Sequence, residues 1–140
     1  MWLSAATLAL LVVTTTLMHY EVLRGLGIVL PRLSGPPRAK LVIVILATFV
    51  SHVAQIALYG VGFLPLVRIL AIGGLTGSNA PSLMACLYFS AETYTSLGFG
   101  DIIPTGAARL LAGGEALNGL LLIGWSASYT YISMERFWCD

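Results

Sequence analysis

Residues 95–101 read Thr95-Ser96-Leu97-Gly98-Phe99-Gly100-Asp101, and this stretch says more about function than the rest of the chain together. Of the 140 residues, 58% are hydrophobic and 9% are charged, so the stretch is expected to lie at or inside a membrane. Irregular backbone is tolerated at that depth only where protein buries it or where it lines a water-filled path. The alternating glycines therefore predict a polar path through an otherwise apolar protein.

Three uncharged runs are each long enough, or nearly so, to cross a membrane as a helix, which takes about 20 residues. They span Met1 to Tyr20, Leu41 to Val67 and Ala116 to Met134. A further helix near residues 81–95, capped by Ser78 or Asn79, is too short to cross and predicts a re-entrant element. We therefore expect an all-α membrane protein with three transmembrane helices, a re-entrant helix and a glycine-rich loop.

The basic residues predict the orientation of the chain, because cytoplasmic loops carry an excess of Lys and Arg. Five of the seven lie beside the first loop or after the last span, at Arg24, Arg32, Arg38, Lys40 and Arg136. Arg68 and Arg109 lie on the other side. We expect a multi-pass protein of the cell (plasma or inner) membrane with its N-terminus outside and its C-terminus in the cytoplasm. The net charge of +1 gives no basis for nucleic-acid binding.

Alternating glycines suit a backbone whose carbonyl groups must all face one axis. Gly98 and Gly100 adopt the unusual dihedral angles that this requires without a Cβ penalty. Rings of such carbonyls replace the hydration shell of a cation that crosses a membrane. The Ser96 hydroxyl adds one more layer of oxygen, and Phe99 is expected to pack outward as a spacer.

The longer stretch Leu87-Tyr88-Phe89-Ser90-Ala91-Glu92-Thr93-Tyr94-Thr95-Ser96-Leu97-Gly98-Phe99-Gly100-Asp101-Ile102-Ile103-Pro104 resembles the pore helix and filter of potassium channels, particularly bacterial two-helix channels. The resemblance covers about residues 80–136, and residues 96–100 stand where the family has Thr-Val-Gly-Tyr-Gly. It implies a potassium filter formed mainly by backbone carbonyls, with Thr95, Ser96, Leu97, Gly98, Phe99 and Gly100 as its residues. K⁺ is the permeant ion, and no cofactor is implied.

The same resemblance divides the chain into three parts. We expect a peripheral N-terminal helix at 1–31, which has no counterpart in a two-helix channel, a cytoplasmic loop at 32–40 and a pore domain at 41–140. Within the pore domain we expect an outer helix at 41–64, a pore helix at 81–95, a filter at 96–100 and an inner helix at 107–134. One chain carries one filter segment and a closed ring needs four, so a homotetramer in the lipid bilayer is implied.

Residues outside the filter also match the family. Glu92 and Asp101 correspond to a carboxyl pair that braces the filter in some members, and Tyr88 stands where those members have Trp. Gly119 falls on the hinge glycine of the inner helix, although close packing of backbones is the other explanation for a glycine there. Cavity or gate residues are expected at Asn118, Gly119, Leu120, Ile123 and Ala127.

Polar residues inside the spans are further candidates, because a membrane tolerates them only when they pair or serve a function. His52 and Gln55 either pair with other helices or have a pH-sensitive role. Glu115 either braces the pore helix as a buried acceptor or places negative charge near the cavity, and Asn118 shares that ambiguity.

The sequence thus predicts a potassium-selective channel with passive conduction, and not an enzyme, since no nucleophile–base set or metal cluster is evident. A weakly selective monovalent cation channel and a non-conducting auxiliary channel subunit are the alternatives. A proton-coupled transporter based on His52 and Glu115 would leave the filter motif unexplained.

Overall fold

Three long helices and one short helix make up most of the computed structural model, which describes residues 2–68, 73–77 and 82–138. The helices are α1 (Trp2–Val29), α2 (Pro37–Arg68), α3 (Leu83–Tyr94) and α4 (Ala108–Trp138), and a 3₁₀ turn at Leu30–Arg32 follows α1. In the described ranges, α1, α2 and α4 are long and apolar enough to cross a membrane. The predicted helical membrane fold is therefore confirmed.

The helix ends differ from the predicted ones for local reasons. Helix α2 begins at Pro37, which suits a first helical position because the amide there needs no partner. It continues past residue 64 through Pro65, since a proline in the last turn removes only one backbone hydrogen bond while Leu66 stays buried. Helix α3 is capped by Ser82, whose Oγ accepts from the Ala85 amide at 3.1 Å. The predicted caps, Ser78 and Asn79, lie outside the described residues.

A two-stranded antiparallel sheet was not predicted. Strand β1 (Gly73–Thr76) pairs with β2 (Ile103–Gly106). The Thr105 hydroxyl strengthens the pair by contacting the Gly74 amide at 3.0 Å and the Gly74 carbonyl at 3.2 Å. Gly77 follows with a φ of 100°, and a Cβ there would lie 1.9 Å from the Asp101 carbonyl oxygen. The sheet therefore holds the chain where it leaves residues 96–100.

The N-terminal helix contacts two other helices of the chain. Helix α1 packs against both α2 and α4, and α3 packs between α2 and α4. One apolar cluster surrounds α3 and includes Tyr59, Phe63, Phe89, Tyr94 and Leu111. A second joins the end of α1 to the start of α2 through Leu23, Leu26, Leu30 and Val44.

Helix α4 buries one stripe and exposes the opposite one. Its buried residues recur every three or four positions, as one face of a helix requires; they include Ala108, Leu111, Ala112, Glu115, Asn118, Gly119, Leu122, Ser126 and Ser133. The other face is apolar and exposed, with Leu117, Leu120 and Leu121 all more than half exposed. In a membrane that face is available to lipid or to another protein chain.

Glu115 is completely buried and ties α4 to α3 and α2. The Ser90 hydroxyl lies 2.5 Å from Glu115 Oε1 and 2.7 Å from the Ile56 carbonyl oxygen. The Ser90 hydroxyl is the donor in both contacts, so one side chain of the short helix is bonded to both α2 and α4. Of the two predicted roles of Glu115, the contact fits bracing of the short helix.

Replacing Glu115 tests its bracing role. Glu115→Gln keeps an acceptor oxygen for Ser90 and should change the free energy of unfolding by less than about 1 kcal/mol, whereas Glu115→Ala loses the bond and leaves a cavity, which costs about 2–4 kcal/mol. Thermal and denaturant unfolding in detergent micelles measures both. A Glu115→Ala variant as stable as the parent protein would contradict the bracing role.

Candidate functional site

The last turn of α3 determines which way the backbone of the predicted filter faces. Three backbone amides donate hydrogen bonds to carbonyls of that helix: Ser96 to Thr93 at 3.0 Å, Leu97 to Glu92 at 2.9 Å and Gly98 to Glu92 at 3.3 Å. In a planar trans peptide the carbonyl of one residue points opposite to the amide of the next. The carbonyls of Thr95, Ser96 and Leu97 therefore all point away from α3.

Left-handed backbone conformations alternate along the same segment. Positive φ angles occur at Ser96 (57°), Gly98 (57°) and Gly100 (79°). In a regular strand successive carbonyls face opposite sides, and a left-handed residue at every second position removes that alternation. A Cβ on either glycine would meet no described atom within 4 Å, so glycine is required here for its conformation and not for space.

Ser96 is the one described residue other than glycine with a positive φ. A serine in that region is uncommon and carries backbone strain. Its amide is held by the Thr93 carbonyl at 3.0 Å, which fixes the first peptide of the segment in place. The strain lies where the segment leaves α3.

The side chains predicted to support the filter do come together behind it. Tyr88 donates to Asp101 Oδ1 at 3.4 Å, and its ring is stacked on Phe99 with ring centroids 6.5 Å apart. Glu92 is buried and faces both Asp101 and the backbone of Phe99. Burial, followed by the charge of Asp101, raises the pKa of the Glu92 carboxyl. A protonated Glu92 can donate to Asp101, which removes the repulsion between the two carboxyl groups.

Thr95 supports the helix with its side chain. Its hydroxyl donates to the Ala91 carbonyl at 2.7 Å, so only the Thr95 carbonyl belongs with the outward-facing backbone groups. Beyond it, Leu97 is 60% exposed and Phe99 is 67% exposed in the single chain. Apolar side chains therefore lie exposed beside the outward-facing carbonyls.

The prediction that Asn118 lines a cavity is wrong. Asn118 is buried on the inward stripe of α4 and donates to Thr15 at 2.8 Å and to Tyr59 at 3.1 Å. Helix periodicity explains the error, because Asn118 and Leu120 lie about 200° apart around the helix. Leu120, Ile123 and Ala127 remain on the exposed side of α4.

Gly119 is a point of close packing between α4 and the end of α3. A Cβ on Gly119 would lie 2.2 Å from the Tyr94 carbonyl oxygen, far inside any allowed contact. Gly113 and Gly124, on the same helix, have no described atom within 4 Å of such a Cβ. Of the two explanations for Gly119, the geometry favours contact between backbones.

His52 and Gln55 lie in a buried polar cluster that includes His19, Tyr94 and Ser126, so they pair with residues of other helices. The sequence interpretation missed those three partners. Two of them could have been found, because His19 and Ser126 are polar residues within membrane-spanning runs. Nothing in the sequence distinguished Tyr94. In the described ranges, no three His, Cys, Asp or Glu side chains are close enough to hold a metal ion.

Comparison with known proteins adds one finding. A family model described as "Ion channel" matches residues 39–136, more than two thirds of the chain. The match covers α2, the sheet, α3, the predicted filter and nearly all of α4, but not α1. No curated protein and no solved structure matches the chain.

Substitution of Gly119 separates close packing from hinge bending. Gly119→Ala forces the ends of α3 and α4 apart and should lower the free energy of unfolding by about 1–3 kcal/mol. Gly124→Ala is the matched control, and better helix propensity should make it neutral or stabilising by up to about 1 kcal/mol. Unfolding in detergent measures both. A neutral Gly119→Ala variant would contradict the packing role.

Stability should also depend on pH through Glu92. Because the pKa of Glu92 is higher in the folded protein than in the unfolded chain, its contribution to stability is present at acidic pH and is lost as pH rises through the raised pKa. Glu92→Gln should remove that loss. The exposed Glu135 provides the control, since Glu135→Gln should keep the pH dependence of the parent protein. Melting temperatures recorded across pH test this, and identical profiles for the parent and Glu92→Gln would exclude it.

Proposed function

The chain belongs to the ion channel family, and we propose that it is a potassium-selective channel that conducts passively through a pore formed by four copies. The observation that carries the proposal is the backbone of residues 95–100. Amides bonded to the end of α3 turn successive carbonyls to one side, and left-handed residues alternate along the segment. A dehydrated K⁺ ion needs such rows of carbonyl oxygens.

Four chains are needed because one chain supplies one row. A fourfold cyclic homotetramer brings four rows around one axis and closes the ring of oxygens. The exposed Leu97 and Phe99 side chains and the exposed face of α4 support this assembly, since neighbouring subunits would cover them. The lipid bilayer surrounds the remaining apolar surface.

Each part of the pore domain then has a role. The carbonyls of residues 96–100, with the Ser96 hydroxyl and the Thr95 carbonyl at the inner end, form the ion ligands. Helix α3 points its C-terminal end toward the ion path, and the partly negative charge there favours a cation. Leu120, Ile123 and Ala127 line the cavity below the filter, while Tyr88, Glu92 and Asp101 brace it from behind.

The proposed channel is a multi-pass protein of the cell membrane. Its N-terminus lies outside and its C-terminus in the cytoplasm, because five of the seven basic residues cluster at the first loop and the end of α4. The filter then faces the outer half of the membrane. The cavity, which α4 lines, then lies on the cytoplasmic side of the filter.

Potassium flux in liposomes tests the proposal. The parent protein should take up K⁺ in a manner blocked by barium, and Gly98→Ala should reduce the flux at least about tenfold, because an L-residue disfavours the left-handed conformation at each of the four filters. Gly113→Ala is the matched control, since the same substitution there meets open space. Unchanged flux in Gly98→Ala would refute the filter assignment.

Reversal potentials with K⁺ on one side and Na⁺ on the other then measure selectivity. A potential displaced strongly toward the K⁺ equilibrium supports the proposal. A value near zero with robust flux would instead identify a weakly selective cation channel. A folded protein that gives no flux would favour a non-conducting subunit of another channel.

A further inference from the structure

A closed ring of side-chain hydrogen bonds joins α1, α2, α3 and α4 beside the last residue of α3. Its five members are Gln55, His19, Ser126, His52 and Tyr94, in the order of their contacts. Gln55 Nε2 lies 3.1 Å from His19 Nδ1, His19 Nε2 lies 3.2 Å from Ser126 Oγ, Ser126 Oγ lies 2.9 Å from His52 Nε2, and His52 Nδ1 lies 2.9 Å from the Tyr94 hydroxyl. The Tyr94 hydroxyl closes the ring by donating to Gln55 Oε1.

The ring is complete in its donors and acceptors. Tyr94 donates to the Gln55 carbonyl, so its oxygen accepts from His52 Nδ1–H. His52 Nε2 is then an acceptor for the Ser126 hydroxyl, and Ser126 accepts from His19 Nε2–H. His19 Nδ1 is left as the acceptor for the Gln55 amide. With both imidazoles neutral, each of the five links holds one hydrogen, and no member is left unpaired.

Four of the five ring members are buried, and the ring is closely packed. His19, Gln55 and Tyr94 are completely buried, Ser126 is nearly so, and His52 is half-buried. The imidazole of His19 packs against that of His52 and against the Trp125 ring, with ring centroids 5.1 Å and 5.5 Å apart. Water does not compete effectively for hydrogen bonds in such a place, so the loss of one link leaves its partners unsatisfied.

Tyr94 connects this ring to the filter. It is the last residue of α3 and directly precedes Thr95, and its carbonyl is pressed against Gly119. The ring holds the side chain of Tyr94, while Gly119 holds its backbone. Since the amides of residues 96–98 bond to the preceding turn of the same helix, a shift of Tyr94 would move the carbonyls that the proposed function assigns to K⁺.

His19 is the contribution of α1 to this arrangement, and α1 lies outside the region matched to the ion channel family. Without its imidazole, Gln55 and Ser126 would each lose a partner, and the ring would open on the side opposite Tyr94. We infer that His19 is a positioning residue for the filter, and that α1 serves ion selectivity by closing the ring that holds Tyr94. This inference rests on the proposed potassium conduction.

A double-mutant cycle on the permeability ratio of K⁺ to Na⁺ tests it. The variants are His19→Phe, which keeps a ring of similar size without its nitrogens, Tyr94→Phe, which removes one hydroxyl, and the combination of the two. Thr15→Val is the matched control, because Thr15 lies one turn away on α1 and loses an interhelical bond to Asn118 that is not part of the ring. Reversal potentials of tetramers in liposomes supply the ratio.

Each single ring variant should lower the permeability ratio about two- to tenfold, the factor that one hydrogen bond corresponds to, while Thr15→Val leaves it unchanged. The double variant should lower it no further than the larger single effect, since either substitution already opens the ring. If His19→Phe does not assemble, Ser126→Ala takes its place in the cycle, because it breaks the link between the two imidazoles by removing one atom.

Two results would overturn the inference. An unchanged permeability ratio in His19→Phe or its substitute would show that α1 does not position the filter, and effects of the two substitutions that multiply would show that they act separately. A parent protein with no preference for K⁺ would instead refute the proposed function and this inference together. A K⁺-selective parent whose ring variants keep the same permeability ratio would refute the inference alone.

Discussion

The backbone carbonyl of Glu92 accepts hydrogen bonds from the amides of both Leu97 and Gly98, and the rest of the structure depends on this double contact. An irregular segment inside a membrane has to place each amide and each carbonyl somewhere. Hydrogen bonds to α3 satisfy the amides of the segment, and they turn its carbonyls outward as a row. The left-handed residues at 96, 98 and 100 make that arrangement geometrically possible. The row of carbonyls therefore follows from the way in which the backbone carbonyls at the end of α3 find their hydrogen-bond donors.

Holding α3 at a defined position is the task of the surrounding helices. Gly119 lets α4 approach the Tyr94 carbonyl, and the Ser90 hydroxyl joins α3 to Glu115 of α4 and to the Ile56 carbonyl of α2. Polar contacts of this kind suit a membrane protein because lipid supplies no hydrophobic force to press helices together, so packing and interhelical hydrogen bonds do so. The same reasoning explains why Thr15 and His19 of α1 face Asn118 and His52. Helix α1 is thereby joined to α2 and α4.

Several sequence predictions failed for identifiable physical reasons. Asn118 was assigned to a cavity, yet it lies on the stripe of α4 that faces α1 and α2, and a single helix cannot reveal which of its faces meets a partner. The β1–β2 sheet was not predicted, because the pairing of Gly73–Thr76 with Ile103–Gly106 depends on the fold and not on local propensity.

The sequence by itself determined the three membrane-spanning helices, the short helix between the second and third, and the glycine positions that permit a row of carbonyls. Those features depend on local quantities: run length, hydrophobicity and the conformational freedom of Gly98 and Gly100. The tertiary structure alone decided what lies behind the row. The contacts of the ring join residues that lie 36 to 107 positions apart in the sequence, and only the packing of four helices brings them together. Hydrogen bonds between distant helices depend on rotation and depth, which no local pattern in the chain specifies.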